Sequence, residues 1–161
     1  MMKMMTMKNN ILENHPSYIY AKQIVDGTIK PSPLFFELNG EKKFIPPKYV
    51  KKQCKIFLDI ADDKSSKYVI NVSRIKKIDK ILKILVMAKG IKVGKKIYDA
   101  LAGYQWLIIV ASLCTVYRDD KTRRRYETII LEICRKNGKT FIVALMVLLL
   151  FYLEPRYSQF Y

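Results

Sequence analysis

Two apolar runs constrain this chain more than any other feature: "WLIIVASLCTVY" at 106–117 and "FIVALMVLLLFYL" at 141–153. Neither contains a charged residue, so each must find apolar neighbours along most of its length. The longer run has 13 residues (141 to 153), with Lys139-Thr140 before it and Glu154 after it. A bilayer span takes about 20 apolar residues at helical rise, so stable membrane insertion is not expected. A short helix that is apolar on every face belongs in a core. The rest of the chain must therefore supply amphipathic elements that bury these two.

The first hundred residues do so. After a loose leader over 1–14, rich in Met and Asn, "HPSYIYAKQIVDGTI" predicts a helix. Pro16 suits its first turn, Tyr20, Ile24 and Val25 share a face, and Gly27 stops it. A loop follows, with a hairpin expected at Asn39-Gly40. In "KYVKKQCKIFLDIADD" the residues Val50, Cys54, Phe57, Leu58 and Ala61 recur at helical spacing, predicting a second helix. Its end, "DIADD" at 59–63, reads as a solvated terminus and not as a metal site. A third helix is expected through "NVSRIKKIDKILKILVMAKG", with Ile75, Ile78, Ile81, Leu82 and Leu85 inside and Gly90 as its cap. Lys76, Lys80 and Lys83 fall opposite that stripe, the pattern of a solvated face that is also able to contact phosphates. "YDALAGYQWLIIVASLCTVY" predicts a fourth helix with Gly103 near its start.

The pattern then changes. "RDDKTRRRYE" is a charged turn, and "YETIILEIC" is a short β-branched apolar run, the signature of a buried strand. The loop "RKNGK" and the apolar helix from Thr140 follow, and "RYSQFY" reads as the opening of a second strand. The expected class is α+β: a leader (1–14), a mostly helical region (15–101), and over 102–161 the first strand, loop, helix and strand of a P-loop sheet.

Lys and Arg number 30 against 14 Asp and Glu, a formal charge of +16. Such an imbalance favours a polyanionic partner, nucleic acid or an anionic membrane face. The three cysteines, Cys54, Cys114 and Cys134, are an odd number with no C-x-x-C pair, which fits a reducing compartment. His15 is the one histidine, and no zinc-ligand spacing surrounds it.

The stretch that carries chemistry is Gly138-Lys139-Thr140, the end of a phosphate-binding loop. It follows a strand pattern and opens a helix, the context such a loop requires. Backbone N–H groups of residues 137–140 would converge on an anion at a helix N-terminus. Lys139 would meet the β- and γ-phosphates, and the Thr140 hydroxyl would ligate Mg²⁺. Ile133 stands where the full G-x-x-x-x-G-K-[ST] pattern has its first glycine, so the loop begins later, at Cys134-Arg135.

"EICRKNGKT" resembles the deviant Walker A motif of the large subunit of tailed-bacteriophage terminases, the DNA-packaging motors. That form lacks the first glycine and carries a basic residue early in the loop. "YETIILE" is similar to the family's preceding strand, and "GYQWLIIVASL" to the upstream adenine-region element, through Gln105 and Trp106. The segments "HPSYIYAKQIVDGTI" and "YVKKQCKIFLDIADD" are similar to its helical lead-in, with Lys55 where Arg is common. The resemblance covers residues 18–161.

The resemblance implies an ATPase that uses ATP and Mg²⁺ to package double-stranded viral DNA in the host cytoplasm. Its implied partners are a terminase small subunit and a portal protein, and its implied assembly is a homo-oligomeric ring. Implied site residues are Arg135, Lys136, Asn137, Gly138, Lys139, Thr140, Gln105 and Trp106. Among them Lys139 and Arg135 serve the γ-phosphate, and Thr140 serves the metal. The Walker B strand and the nuclease domain of that family have no counterpart in these residues. Asp119-Asp120 precedes the loop in a turn and does not fit the Walker B role. The chain therefore reads as an N-terminal part, incomplete for catalysis. The alternative is a small basic DNA-binding or membrane-associated protein without a nucleotide site.

Overall fold

The computed structural model describes residues 11–30, 45–90, 92–133 and 137–154. Six helices and two short strands are described, in the order α1 (Pro16–Asp26), α2 (Lys48–Ala61), β1 (Tyr68–Ile70), α3 (Val72–Leu82), α4 (Ile97–Ala100), α5 (Gly103–Cys114), β2 (Thr115–Tyr117) and α6 (Lys139–Leu153). The class is α+β, mostly helical, with a two-stranded antiparallel sheet among the described residues.

α1 begins and ends where local chemistry dictates. Pro16 takes the first turn, and Gly27 ends the helix in the left-handed region (φ 70°), its N–H donating to the Gln23 carbonyl. The N-cap is His15, an uncommon choice. Its Nδ1 accepts from the Ser17 backbone N–H at 3.3 Å, replacing the usual Ser or Asp oxygen. Residues 11–13, assigned to the leader by the sequence, are helical, and Leu12 is buried in the core.

α5 is the central element. It packs against α1, α3 and α6 and leads straight into β2. Trp106, Ile109, Val110, Leu113 and Cys114 are buried on it, facing Ala21 and Ile24 of α1, Cys54, Phe57 and Ile60 of α2, and Ile75, Ile78 and Leu82 of α3 in one cluster. α1 comes close enough that a Cβ on Gly103 would stand 2.7–2.9 Å from Tyr20 ring and Cβ atoms. Gly103 is there because the two helices touch, not because its backbone needs glycine.

Several expectations are corrected. The third helix stops at Leu82, not at Gly90. Beyond it, Val86 pairs with Lys96, the Met87 N–H donates to the Lys95 carbonyl, and the Ile97 N–H donates to the Leu85 carbonyl. Gly90 and Gly94, both at positive φ, turn the chain there, so residues 85–90 and 92–97 form the two sides of a hairpin. The fourth helix is broken at Leu101-Ala102, and its end is strand β2. Tyr68 stands opposite Tyr117, Val69 opposite Val116 and Ile70 opposite Thr115. The charged turn folds back on β2, with Val116 bridged to Arg124 and the Arg125 N–H donating to Thr115.

The strand expected before the loop is not a strand. Residues 128–133 run without ladder partners, and Ile130 is 89% exposed. Leu131 and Ile133 pack onto the core, but β-branched residues become a strand only when a neighbour supplies the other half of the ladder. No parallel βαβ unit occurs among the described residues. Residues 156–161, expected as its second strand, lie outside them, as do residues 1–10 and the Asn39-Gly40 turn.

α6 is half of what its composition demands. Ile142, Leu145, Met146 and Leu149 are buried against α5 and α3, whereas Val143, at 52% exposure, Leu148 and Phe151 face outward. Among the described residues no helix is long and apolar enough to cross a membrane. The C-terminal end of α6 is pinned by charge. Arg74 Nη1 donates to Glu154 at 2.7 Å and to the Leu113 carbonyl at 3.0 Å, Nη2 donates to the Thr122 carbonyl at 3.2 Å, and Arg124 lies 3.3 Å from the same carboxylate.

Substituting Gly103→Ala is expected to destabilise the protein by about 1–3 kcal/mol, the range for overpacking. The change should appear as a lower urea midpoint with an unaltered slope. Stability equal to wild type would show that Tyr20 does not lie against Gly103.

Candidate functional site

Gly138-Lys139-Thr140 stands at the N-terminus of α6. Gly138 is the N-cap residue, in the left-handed region at φ 71° and ψ 25°. Among the described residues a Cβ built there meets Gln105 Nε2 at 3.5 Å, an ordinary contact, and the left-handed backbone itself calls for glycine. The Gly138 carbonyl accepts the first helical bond, from Ile142. Lys139, Thr140 and Phe141 then precede the first residue whose N–H finds an acceptor within the helix. Glycine also has no side chain with which to cap them. Their N–H groups and the helix dipole together favour an anion at this end.

α5 frames the loop from one side. The Tyr104 hydroxyl donates to the Asn137 carbonyl at 3.1 Å. The Gln105 amide oxygen accepts from the Ala102 N–H at 2.9 Å, an N3 side chain reaching back to its own N-cap. That bond fixes the Gln105 amide and leaves its nitrogen toward Gly138. Sequence reasoning brought Gln105 near the loop but missed Tyr104, whose only signal was its place beside that glutamine.

Of the expected site residues, Asn137, Gly138, Lys139 and Thr140 come together in the exposed start of α6. Gln105 joins them. Arg135 and Lys136 lie outside the described residues. Trp106 does not join them: it is 1% exposed and held edge-on by His15 at 4.9 Å and Tyr98 at 5.1 Å between ring centroids. One residue along a helix is a turn of about 100°, so Gln105 at the loop sends Trp106 to the core. Its indole offers no face to a nucleotide base.

A second constellation needs chemistry to exclude it. Ser17 Oγ lies 2.8 Å from His15 Nδ1, and His15 Nε2 lies 3.2 Å from Asp79 Oδ1, a Ser–His–Asp chain in hydrogen-bond reach. Because Nδ1 already accepts the Ser17 N–H, the ring proton belongs on Nε2, where it donates to Asp79. Ser17 and His15 are both buried, so no acyl group can approach the hydroxyl. The chain is a structural link between α1, α3 and α5.

The acidic candidates are likewise accounted for. Asp120 accepts from the Thr122 hydroxyl at 2.6 Å and the Thr122 N–H at 2.9 Å. These bonds hold its carboxyl below the usual range and close the turn. Asp62 accepts from Tyr18 and Lys64, and Asp63 accepts from Arg118. Among the described residues no cluster of His, Cys, Asp and Glu is arranged to hold a metal ion.

No family model, curated protein or solved structure matches this chain.

Trp106→Ala is expected to lower stability by about 3–5 kcal/mol, the effect of removing a buried aromatic ring. A variant of unchanged stability that bound nucleotide less well would return Trp106 to the site. Burial pushes the Cys54 thiol up to about 11 and the Cys114 thiol up as well. Both should therefore resist iodoacetamide at neutral pH in the native protein and react after denaturation, read by peptide mass mapping.

Proposed function

We propose that residues 135–140 bind the phosphates of Mg²⁺-ATP and that the chain is the ATPase part of a DNA-packaging terminase large subunit. The observation that carries the reading is Gly138, left-handed at the head of α6 inside "RKNGKT". It supplies the turn a phosphate loop needs, and it leaves the first helical N–H groups and the exposed Lys139 and Thr140 on one end of a helix. The same tripeptide within a helix or strand would supply none of this.

In this reading Lys139 neutralises the β- and γ-phosphates, and the Thr140 hydroxyl ligates Mg²⁺. Arg135 meets the γ-phosphate, and Lys136 and Asn137 line the loop. The Gln105 amide nitrogen, facing Gly138, is the contact from α5. The parallel sheet of a P-loop ATPase and its packing against the outward face of α6 belong to the same proposal. So do duplex viral DNA, a small subunit and a portal as partners, a ring of copies, and the host cytoplasm as the setting.

The direct test is equilibrium binding of a fluorescent ATP analogue with and without Mg²⁺. Lys139→Ala removes one charge-assisted contact, worth about 1.5–3 kcal/mol, and is expected to weaken binding by about ten- to a hundredfold. Thr140→Ala should abolish the dependence on Mg²⁺. Neither variant should shift the melting temperature appreciably, because both side chains are exposed. Wild-type protein that binds no nucleotide, or binds it equally well as Lys139→Ala, would refute the reading.

A further inference from the structure

The chain's positive charge is unevenly placed. From Lys80 to Tyr98 the sequence contains no acidic residue, and the carboxylate just before it, Asp79, is turned inward to His15. Lys80 and Lys83 at the end of α3, with Lys89, Lys95 and Lys96 on the hairpin that follows, are all exposed. Lys83 sits 4.5 Å from the Tyr98 ring, which ties the helix end to the base of the hairpin and makes one surface of the two. By contrast, the arginines around β2 are interleaved with Asp63, Glu127 and Glu154, which pair with them.

The same surface exposes three large aliphatic side chains. Ile84 is 69%, Val86 56% and Val93 59% exposed. Leu85 and Ile97 point from this hairpin into the core, so the alternation of a strand sends Val86 outward beside its cross-strand neighbour Lys96. Val93 stands in the turn, where its N–H donates to the Gly90 carbonyl. Three exposed aliphatic side chains set among lysines, Ile84 and Val86 where the hairpin leaves α3 and Val93 at its turn, exceed what a freely solvated loop requires.

We propose that this α3–hairpin surface docks on an anionic lipid bilayer, with Ile84, Val86 and Val93 entering the headgroup region and the lysines meeting acidic headgroups. The chemistry separates this partner from two others. Protein interfaces are depleted in Lys and enriched in aromatic residues and Arg, whereas every cation on this surface is Lys. Nucleic acid would use the lysines through its phosphates but gives the three aliphatic side chains no task. An acidic membrane uses both: lysine clusters respond to the negative surface potential, and apolar side chains gain by entering the interface. Such binding is peripheral and needs no membrane-spanning helix. It does not depend on the nucleotide reading.

The experiment is co-sedimentation of the full chain with vesicles of pure phosphatidylcholine or of phosphatidylcholine containing a minor fraction of phosphatidylglycerol, over a range of salt. Binding is expected to be about tenfold or more tighter on the anionic vesicles and to weaken as salt rises. The triple variant I84S/V86S/V93S keeps every charge and should lose about tenfold or more of that binding. K89Q/K95Q/K96Q keeps the aliphatic residues and should lose a similar factor. Unchanged melting temperatures, expected for exposed positions, show that both variants are folded. A parallel titration uses a DNA duplex. Equal binding to both vesicle types, vesicle binding unaffected by I84S/V86S/V93S, or duplex binding that is tighter than vesicle binding and survives that substitution would each overturn the proposal.

Discussion

The contact on which the rest of the structure depends is the close approach of α1 to α5. Tyr20 lies directly on Gly103, and one turn further on, His15 meets the edge of Trp106. The approach is possible because Gly103 has no side chain, and it is held because His15 works in three directions. The ring caps α1 through Ser17, donates to Asp79 on α3, and packs on Trp106 of α5. Removing a single buried donor or acceptor from such a link leaves its partners unsatisfied, which costs more than the bond itself contributes. Three helices are thus set relative to one another by one imidazole and one glycine.

That arrangement places the Gly138 turn at the start of α6. Because Trp106 is committed to the core, the residues just before it, Tyr104 and Gln105, fall on the side of α5 that meets residues 137–138. Residues 137–138 are braced by the first turn of the core helix, and α6 runs from them along α5 to Glu154. There Arg74 and Arg124 hold the far end. Both ends of α6 are therefore tied to α5 or to the elements around it, although half of its apolar surface faces outward. The cationic hairpin hangs from the opposite end of α3, so the proposed lipid surface and the proposed phosphate loop occupy different elements.

The chain's local structure was readable wherever a residue's chemistry acts within one turn of itself. Pro16 and Gly27 delimit α1, the spacing of Ile75, Ile78 and Leu82 marks the buried side of α3, and Gly-Lys-Thr opens α6 as an N-terminus. Where a segment's state depends on a partner far along the chain, pattern was a poor guide. The run 128–133 has every residue preference of a strand and none of the pairing. The sequence assigns "KYVI" to no element and "CTVY" to the end of a helix, yet among the described residues they form the sheet because they meet, Tyr68 on Tyr117.

What the sequence determined by itself is the limits of α1, the buried stripe of α3, the need to bury two apolar runs, and a Gly-Lys-Thr tripeptide that opens a helix. These follow from side-chain periodicity, hydrophobicity and the stereochemistry of single residues. The tertiary structure alone decided that Trp106 is core and Gln105 is not, that His15 is a structural link with no catalytic access, and that Ile84, Val86 and Val93 are exposed in the lysine-rich segment 80–96. Each of those depends on which residues from distant parts of the chain meet, and hence on burial, which no local pattern specifies.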